Sequence, residues 1–399
     1  MNESRGAGAL LEDATGALAD AVSLLATQGR RLSLAVLGEA RIAAKLGLAE
    51  RMVQRFEQAS LLAGLLERDL GALPPALIWP ADRRPDRLGL IVANAVHPQR
   101  LQIELEKGER EIAGHLAAAS ALLSKSPVCA HVAKQVAAVA GGACGATLPS
   151  APTGSSEGLR REFRGPLRLE LDPCFAVASG PELAEAQPLT DAAHAPDFWR
   201  MAMREAMAGD QCCLSICELD GAPLLLLRDL AKQTWDEMRH ATLFLRCAKE
   251  LLPEFIAETP DGPLVRGARR YLETGAGLVV PAEGNLYASL WSADLFDRLV
   301  LMQLDGEADL PRDFREDLSS SFYLRRPALA QELAWTIREE QAHGDLGKRW
   351  LAWLIPDASA REQAIGRALL FRGFRLAIGI AAFQQVPLES ILGKLAATA

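Results

Sequence analysis

Apolar residues recur along most of the chain at a helical period of about 3.6 residues, and this pattern predicts an all-α protein. In the first third of the chain it predicts helical segments such as residues 32–70 and 99–124. Proline-containing stretches at residues 73–75 and 79–80 interrupt them, because proline breaks helical hydrogen bonding. We therefore expect residues 1–140 to form a separate N-terminal helical domain.

The pattern weakens over residues 141–195. Glycine, serine and proline are frequent at residues 141–142 and 152–156, as in linkers. Apolar and polar residues alternate over residues 167–171, which is typical of a short strand. We expect a linker with one possible short strand.

From Pro196 the helical period returns, and it predicts a four-helix bundle domain over residues 196–355. The predicted helices span residues 198–219, 224–252, 286–310 and 328–355. The breaker-rich segment between the second and third helices predicts a long crossover, a connection that occurs in one class of four-helix bundles. Residues 356–399 are predicted to form C-terminal helices that pack on the bundle, with an amphipathic run over residues 358–384.

Two Glu-x-x-His strings lie inside these predicted helices. Glu237 and Glu340 are 103 residues apart, and so are His240 and His343. Residues three apart share one face of a helix, so each string can direct a carboxylate and an imidazole towards one ion. The neighbouring residues are apolar, and a carboxylate among apolar residues is costly unless it is paired or bound to metal. Two solvated strings arising by chance are the alternative, and the duplication argues against it.

Each string also has a single glutamate upstream. Glu205 precedes Glu237 by 32 residues and Glu307 precedes Glu340 by 33. Residues equidistant from the turn of an antiparallel hairpin lie at the same height, because both arms rise equally per residue. The first midpoint is Gly221, inside the breaker run 220–223, and the second lies just before residues 325–327. Four Glu and two His residues are the ligand set of a dinuclear carboxylate site in a four-helix bundle.

Two positions leave alternatives open. Gly306 and Pro311 flank Glu307, so we expect the third helix to be kinked or irregular where it presents this residue. Asp305 could serve in place of Glu307, and Asp210 in place of Glu205, although each fits the turn symmetry less well.

The string Asp236-Glu237-Met238-Arg239-His240 resembles the Asp-Glu-x-Arg-His string of ferritin-like di-iron carboxylate enzymes, which include bacterial multicomponent monooxygenase hydroxylases. The second half carries Glu339 in the place of Asp236. The resemblance covers roughly residues 196–355 and is specific in its ligands rather than in its substrate. It implies one set of metal ligands: Glu205, Glu237, His240, Glu307, Glu340 and His343. It also implies that Asp236 and Glu339 accept hydrogen bonds from the two imidazoles; a solvated helix face is the alternative for both.

Oxygen-rich ligation with two imidazoles favours iron or manganese over zinc. We therefore expect two iron ions as cofactor, with manganese as the alternative. The resemblance implies an O2-dependent oxygenase or oxidase that acts on a small organic substrate, with an electron donor that the sequence does not identify.

Three other functions use similar ligands: ferroxidase or metal storage, a rubrerythrin-like peroxidase, and metal binding without turnover. The long region before Pro196 favours an enzyme over a store. The chain has no Cys-x-x-Cys pair, which removes the usual electron-transfer module of rubrerythrin. Ribonucleotide reductase small subunits carry a radical tyrosine one turn after the first metal histidine, where this chain has Phe244. We therefore disfavour a tyrosyl-radical role.

Composition and charge limit the partners. The formal net charge is −8, with no Lys/Arg block of the kind that binds nucleic acid. No apolar run reaches the roughly 18 residues that span a bilayer, and the first residues lack a signal-peptide pattern. An odd number of cysteines, seven, suits reduced thiols. We expect a cytoplasmic protein without nucleic-acid or membrane partners, and a homodimer is one assembly that the sequence leaves open.

Overall fold

The computed structural model describes ten stretches of the chain: residues 2–39, 41–75, 77, 98–142, 175–177, 195–219, 221–252, 278–280, 295–308 and 310–370. These residues are almost entirely helical, as the apolar period predicts. The helices before the linker are α1 (Asn2–Gly38), α2 (Ile42–Asp69), α3 (Pro98–Leu123) and α4 (Ala130–Ala140), with a 3-10 turn at Pro127–Cys129. Those after it are α5 (Ala195–Glu218), α6 (Leu224–Leu251), α7 (Leu295–Leu299), α8 (Leu310–Leu318), α9 (Ser321–Leu324) and α10 (Pro327–Leu354).

The first helical pair reverses direction inside the segment predicted as one helix. Helix α1 ends at Gly38 and α2 begins at Ile42. The Glu39 carboxylate accepts a hydrogen bond from the backbone N–H of Arg41 at 2.9 Å, which stabilises the turn. The helical segment predicted over residues 32–70 is therefore interrupted between Gly38 and Ile42. The periodic apolar pattern did not predict this break, because it contains no information about a hydrogen bond between a side chain and a nearby backbone group.

Helices α1 and α2 pack directly on α5 and α6, so one apolar core runs through both regions. Buried polar groups cross the same interface. The Lys45 ammonium on α2 forms an ion pair with the Asp210 carboxylate on α5, and both side chains are 1% exposed. The guanidinium of Arg30 donates to the backbone oxygens of Leu77 and Leu219. The domain boundaries drawn from the sequence stay predictions, but the N-terminal helices share their core with α5 and α6.

Helices α5 and α6 form the predicted antiparallel hairpin. Gly221, the predicted turn centre, has a φ angle of +65°, which glycine adopts without the steric cost of a Cβ atom. Helix α10 runs antiparallel to α6. Near the start of α6, Asp229 accepts hydrogen bonds from Arg349 and Trp350 near the end of α10. Near the end of α6, Arg246 pairs with Glu332 near the start of α10.

The third helix of the bundle differs most from its prediction. It comprises α7 followed by a π-helical segment, Val300–Gly306, and residues 286–294 of the prediction lie outside the described residues. The backbone N–H of Glu307 bonds to the Met302 oxygen at 3.0 Å, so the wider turn continues up to the glutamate. The irregularity expected from Gly306 is thus a π segment, a form that often occurs at functional sites.

Two short strands, Phe175–Val177 and Leu278–Val280, pair in parallel. Neither was predicted. The strand expected at residues 167–171 lies outside the described residues. In the C-terminal region, residues 358–370 are helical as predicted, and residues 371–384 of the same prediction also lie outside them. Across the described part of the chain, no helix is both long and apolar enough to cross a membrane.

The buried Lys45–Asp210 pair generates a stability prediction. Substitution Lys45→Met leaves the Asp210 carboxylate without its cation in an apolar interior, so the free energy of unfolding should fall by about 3–5 kcal/mol. The double variant Lys45→Met with Asp210→Leu should recover most of that loss, because neither charge then remains. Urea denaturation measures both.

Lys348→Met is the matched control, since Lys348 pairs with Asp345 on the surface of α10 at 3.0 Å with both side chains more than half exposed. It should change the free energy of unfolding by about 0.5 kcal/mol or less. Equal losses for Lys45→Met and Lys348→Met would contradict the importance of the buried pair.

Candidate metal centre

The structure brings all six predicted ligands together in the interior. Glu205 comes from α5, Glu237 and His240 from α6, Glu307 from the end of the π segment, and Glu340 and His343 from α10. Every one of these side chains is buried, with at most 6% of its surface exposed. Six ionisable groups gathered in an apolar interior are costly unless opposite charges neutralise them.

The six residues fall into two overlapping groups, each able to hold one metal ion. Site 1 consists of Glu205, Glu237, His240 and Glu340. Site 2 consists of Glu237, Glu307, Glu340 and His343. Within each group, one ligand atom from every residue lies within 4.8 Å of the others. Glu237 and Glu340 belong to both groups, so their carboxylates are placed to bridge two ions, as in carboxylate-bridged dinuclear centres.

Both imidazoles turn the same ring nitrogen towards the shared carboxylates. The Nδ1 atom of His240 lies 3.0 Å from Glu340 Oε1 and 3.4 Å from Glu237 Oε2. The Nδ1 atom of His343 lies 3.3 Å from Glu237 Oε1 and 3.2 Å from Glu340 Oε2. The Nδ1 atoms are therefore the ring nitrogens that face the shared carboxylates and are positioned to bind metal.

The opposite ring nitrogens bond to carboxylates outside the cluster, and the pairing crosses between helices. His240 Nε2 on α6 lies 2.9 Å from Glu339 on α10, and His343 Nε2 on α10 lies 3.4 Å from Asp236 on α6. A carboxylate at Nε2 favours the tautomer that carries its proton there, which leaves Nδ1 free to bind metal. Arg239 joins the two outer carboxylates by bonding to both Asp236 and Glu339. Asp236 and Glu339 therefore contact the imidazoles as expected, and their role beside a metal stays a prediction.

Three buried atoms of the cluster make no hydrogen bond in the described structure: Glu237 Oε2, Glu340 Oε1 and His240 Nδ1. Buried polar atoms are nearly always satisfied, and an exception calls for an unseen partner such as an ion. All three atoms face the region that the two groups enclose. The donor set of carboxylate oxygens and imidazole nitrogens therefore fits divalent cations, and the binding of two ions stays a prediction.

Without metal, protons supply the neutralising charge. Burial raises the pKa of Glu205 to about 8, and the nearby charges of Glu340 and Glu237 add to the effect. Burial likewise raises the pKa of Glu307, again helped by Glu340 and Glu237. For Glu340, burial acts in the same direction, but hydrogen bonding by Glu307 and the charge of His240 outweigh it and lower its pKa.

The two histidines also hold protons strongly in the metal-free chain. Burial disfavours the imidazolium of His343, but the charge of Glu237 and the hydrogen bonds to Asp236 and Glu340 outweigh it and raise its pKa to about 10. Burial also disfavours the imidazolium of His240, but the charge of Glu340 and the nearby carboxylates of Glu205, Glu237 and Glu339 outweigh it and raise its pKa. Metal and protons therefore compete for the same atoms.

The structure decides between the alternative carboxylates. Glu205 and Glu307 belong to the two groups, whereas Asp210 and Asp305 belong to neither. Asp210 instead pairs with Lys45. Cys212, two helical turns beyond Glu205, is buried, and its pKa is raised by burial and by the charge of Glu237. Cys212 belongs to neither ligand group, so we assign it as a packing residue.

Sequence reasoning missed two buried glutamines beside the cluster. The Gln233 side-chain nitrogen donates to Glu237 Oε1 at 3.0 Å and to Glu307 Oε1 at 3.4 Å. The Gln303 nitrogen donates to the Gln233 oxygen at 3.0 Å. A signal for both was present, because each glutamine lies four residues before a ligand and so shares its helix face.

The other end of the cluster is apolar. Phe244 lies one turn beyond His240, and its ring centroid is 6.3 Å from that of Phe198 and 5.5 Å from that of Phe314. Phe322 and Tyr323 extend the same group, at 4.9 Å and 6.2 Å from Phe198. We call these five residues the aromatic cluster. The centre therefore has glutamines on one side and aromatic rings on the other.

Metal binding to the metal-free chain should release protons. A pH of 7 is below the pKa of Glu205, about 8, and below that of His343, about 10. Both groups therefore carry a proton that a metal ion must displace. The apparent affinity should therefore rise from pH 7 towards pH 10 and fall at lower pH. Calorimetric titration with Co²⁺ in two buffers of different ionisation enthalpy measures the protons released. The same binding heat in both buffers would contradict this expectation.

Shared and unshared ligands should differ in metal stoichiometry. Glu237→Ala removes a carboxylate from both sites and should reduce the bound metal from two ions towards none, whereas Glu205→Ala should leave one ion at site 2. Elemental analysis after metal loading measures both. Asp345→Ala, which removes an exposed carboxylate of α10, is the control and should bind as the unchanged chain does. Unchanged metal content in Glu237→Ala would rule out the bridging assignment.

Comparison with known proteins assigns no family. No family model, curated protein or solved structure matches the chain. The assignment of a candidate metal centre therefore rests on the residues, distances and charges described above.

Proposed function

We propose that this protein is an O2-dependent oxygenase or oxidase with a dinuclear non-haem metal centre. The observation that carries the proposal is the pair of overlapping ligand groups, in which Glu237 and Glu340 each serve both sites. A single metal site does not require two shared carboxylates. Two sites that share Glu237 and Glu340 would hold two ions as a pair, and such a pair would supply the reduction of O2.

The arrangement of the helices supports a ferritin-like bundle. Helices α5 and α6 are antiparallel about Gly221, and α6 and α10 are antiparallel through contacts at both of their ends. Each of the four helical segments supplies one glutamate, and α6 and α10 add one histidine each. This is the ligand plan of the ferritin-like di-iron carboxylate proteins that the sequence resembles.

The ligand types favour iron, with manganese as the alternative. Both sites offer three carboxylates and one imidazole, a hard set that suits these metals better than thiolate-preferring ones. In the described residues, no cysteine belongs to either site. Four carboxylates and two divalent ions have balancing formal charges, which allows the centre to lie in an apolar interior.

The residues around the centre have separate tasks. Asp236 and Glu339 hold the two imidazoles with Nδ1 inward, and Arg239 keeps these carboxylates ionised and in place. The buried setting excludes water from the reacting atoms. Two iron ions, when bound, would supply the reduction of O2, which the side chains themselves cannot perform.

The aromatic cluster supports turnover of an organic substrate. Phe198, Phe244 and Phe314 place apolar rings one helical turn beyond His240, on the site 1 side of the centre. A store for hydrated iron needs a polar approach to its ions, whereas a small apolar substrate is best held by aromatic side chains. In an oxygenase reaction, one oxygen atom enters the substrate, and a reductant supplies two electrons that, with two protons, convert the other atom to water.

Oxygen uptake tests the proposal. The protein loaded with Fe²⁺ should consume O2 over many turnovers when an organic reductant and a panel of small apolar substrates are supplied, with one oxidised product per O2. Glu237→Ala is the control and should lose this activity by about 100-fold or more, because it lacks a shared ligand.

A storage protein would behave differently from an oxygenase in the same assay. It would consume O2 only while Fe²⁺ is being added and would accumulate oxidised iron beyond the two bound ions. Uptake that ends once the bound iron is oxidised, with every substrate and reductant, would contradict the oxygenase or oxidase proposal.

A further inference from the structure

The two metal sites differ in what holds their carboxylates. Four residues before each ligand glutamate lies a residue on the same helix face, one turn away. Before Glu237 and Glu307 this residue is a glutamine, Gln233 or Gln303. The corresponding residue is Thr336 before Glu340 and Met201 before Glu205. The ligand set is duplicated, but the residues behind it are not.

The hydrogen bonds follow this difference. The Gln233 amide nitrogen donates to both Glu237 Oε1 and Glu307 Oε1. Glu307 belongs to site 2 alone and Glu237 to both sites. Thr336 is buried, but its shorter side chain makes no hydrogen bond to Glu340 in the described structure.

Gln303 fixes the direction of the Gln233 amide. A carboxylate accepts hydrogen bonds, so the NH2 group of Gln233 must face Glu237 and Glu307, which turns its oxygen away from them. The Gln303 nitrogen donates to that oxygen at 3.0 Å. The reversed amide would place oxygen against carboxylate and nitrogen against nitrogen. The pair is therefore ordered in one orientation, with Gln233 1% exposed and Gln303 3% exposed.

The neighbouring helices pack closely around the two glutamines. A Cβ atom at Gly347 of α10 would lie 2.7 Å from the Gln303 Cβ, which is too close for real atoms. A Cβ atom at Gly209 of α5 would lie 3.3 Å from the Glu237 Cβ and 2.4 Å from the Met238 Cε. Glycine at both positions allows α5 and α10 to approach the glutamine level. The π segment carries Gln303 into the same space.

We propose that Gln233 and Gln303 are a positioning pair that makes the two metal sites unequal. They hold Glu237 and Glu307, two of the three carboxylates of site 2, in their metal-binding orientation, whereas Glu205, the one carboxylate special to site 1, accepts no such bond from the described residues. This inference rests on the proposed dinuclear centre. Site 2 binds its ion more tightly and keeps its ligands fixed. Site 1 includes Glu205 and lies on the side nearer the aromatic cluster, and its own carboxylate is the one that no glutamine amide holds in the described residues.

Cobalt titration tests the proposal without depending on activity. Co²⁺ binding, followed by calorimetry and by visible absorption, should give two dissociation constants for the unchanged chain. Gln233→Met keeps the length of the side chain and removes both of its hydrogen bonds to carboxylates. It should weaken the tighter ion by about 10- to 100-fold, the usual effect of losing an outer partner of a metal ligand, and the other ion distinctly less.

Site-selective backgrounds identify which ion is affected. In Glu205→Ala only site 2 keeps its full ligand set, and in Glu307→Ala only site 1 does. Adding Gln233→Met should cause the larger loss of Co²⁺ affinity in the Glu205→Ala background. Gln303→Met should act in the same direction more weakly. Its effect should be non-additive with that of Gln233→Met, because the two residues form one hydrogen-bonded unit.

Thr336→Val is the matched control, since Thr336 lies four residues before Glu340, just as Gln233 lies four residues before Glu237. It should leave both dissociation constants unchanged. Equal effects of Gln233→Met and Thr336→Val, or equal loss at both sites, would overturn the positioning role while the dinuclear centre stands. An unchanged chain that binds no Co²⁺ would overturn both proposals, so the two failures are distinguishable.

Discussion

The burial of four carboxylates in an apolar interior is the constraint on which the rest of the structure depends. Glu205, Glu237, Glu307 and Glu340 are each at most 6% exposed and lie close enough to repel one another strongly. Such a cluster persists only if protons or metal ions supply positive charge. In the metal-free chain, protons supply this charge, because the pKa values of Glu205 and of both histidines are raised. The Nδ1 atoms of the two histidines face the shared carboxylates, which is the geometry that suits bound metal.

The residues around the four carboxylates supply further hydrogen bonds and charges that stabilise the cluster. Asp236 and Glu339 hold the imidazoles from outside, and they do so across the α6–α10 interface, so the same bonds that orient the ligands also join the two helices. Arg239 then balances the two outer carboxylates. The pKa of Asp236 is lowered because its bonds to His343 and Lys232 outweigh its burial. The centre is therefore built from alternating charges rather than from isolated ligands.

The packing of the helices around the centre also determines its surroundings. The N-terminal helices α1 and α2 cover α5 and α6 with a shared apolar core, and the buried Lys45–Asp210 pair fixes one point of that interface. Glycines at positions 209 and 347 let the helices approach closely on the glutamine side, whereas large aromatic rings fill the opposite side. The two ends of the centre therefore differ in polarity and in packing.

The sequence by itself determined the helical class, the four ligand-bearing segments and the six clustered residues, because apolar period, Glu-x-x-His spacing and turn symmetry are all local properties of a helix. It also placed the turn at Gly221 and the irregularity near Glu307. Only the tertiary structure decided that the irregularity is a π segment, that α1 and α2 share the core of α5 and α6, and that Gln233 spans two ligands. These features depend on contacts between residues far apart in sequence, such as Gln233 with Glu307 or Lys45 with Asp210, and no spacing rule within one helix specifies them.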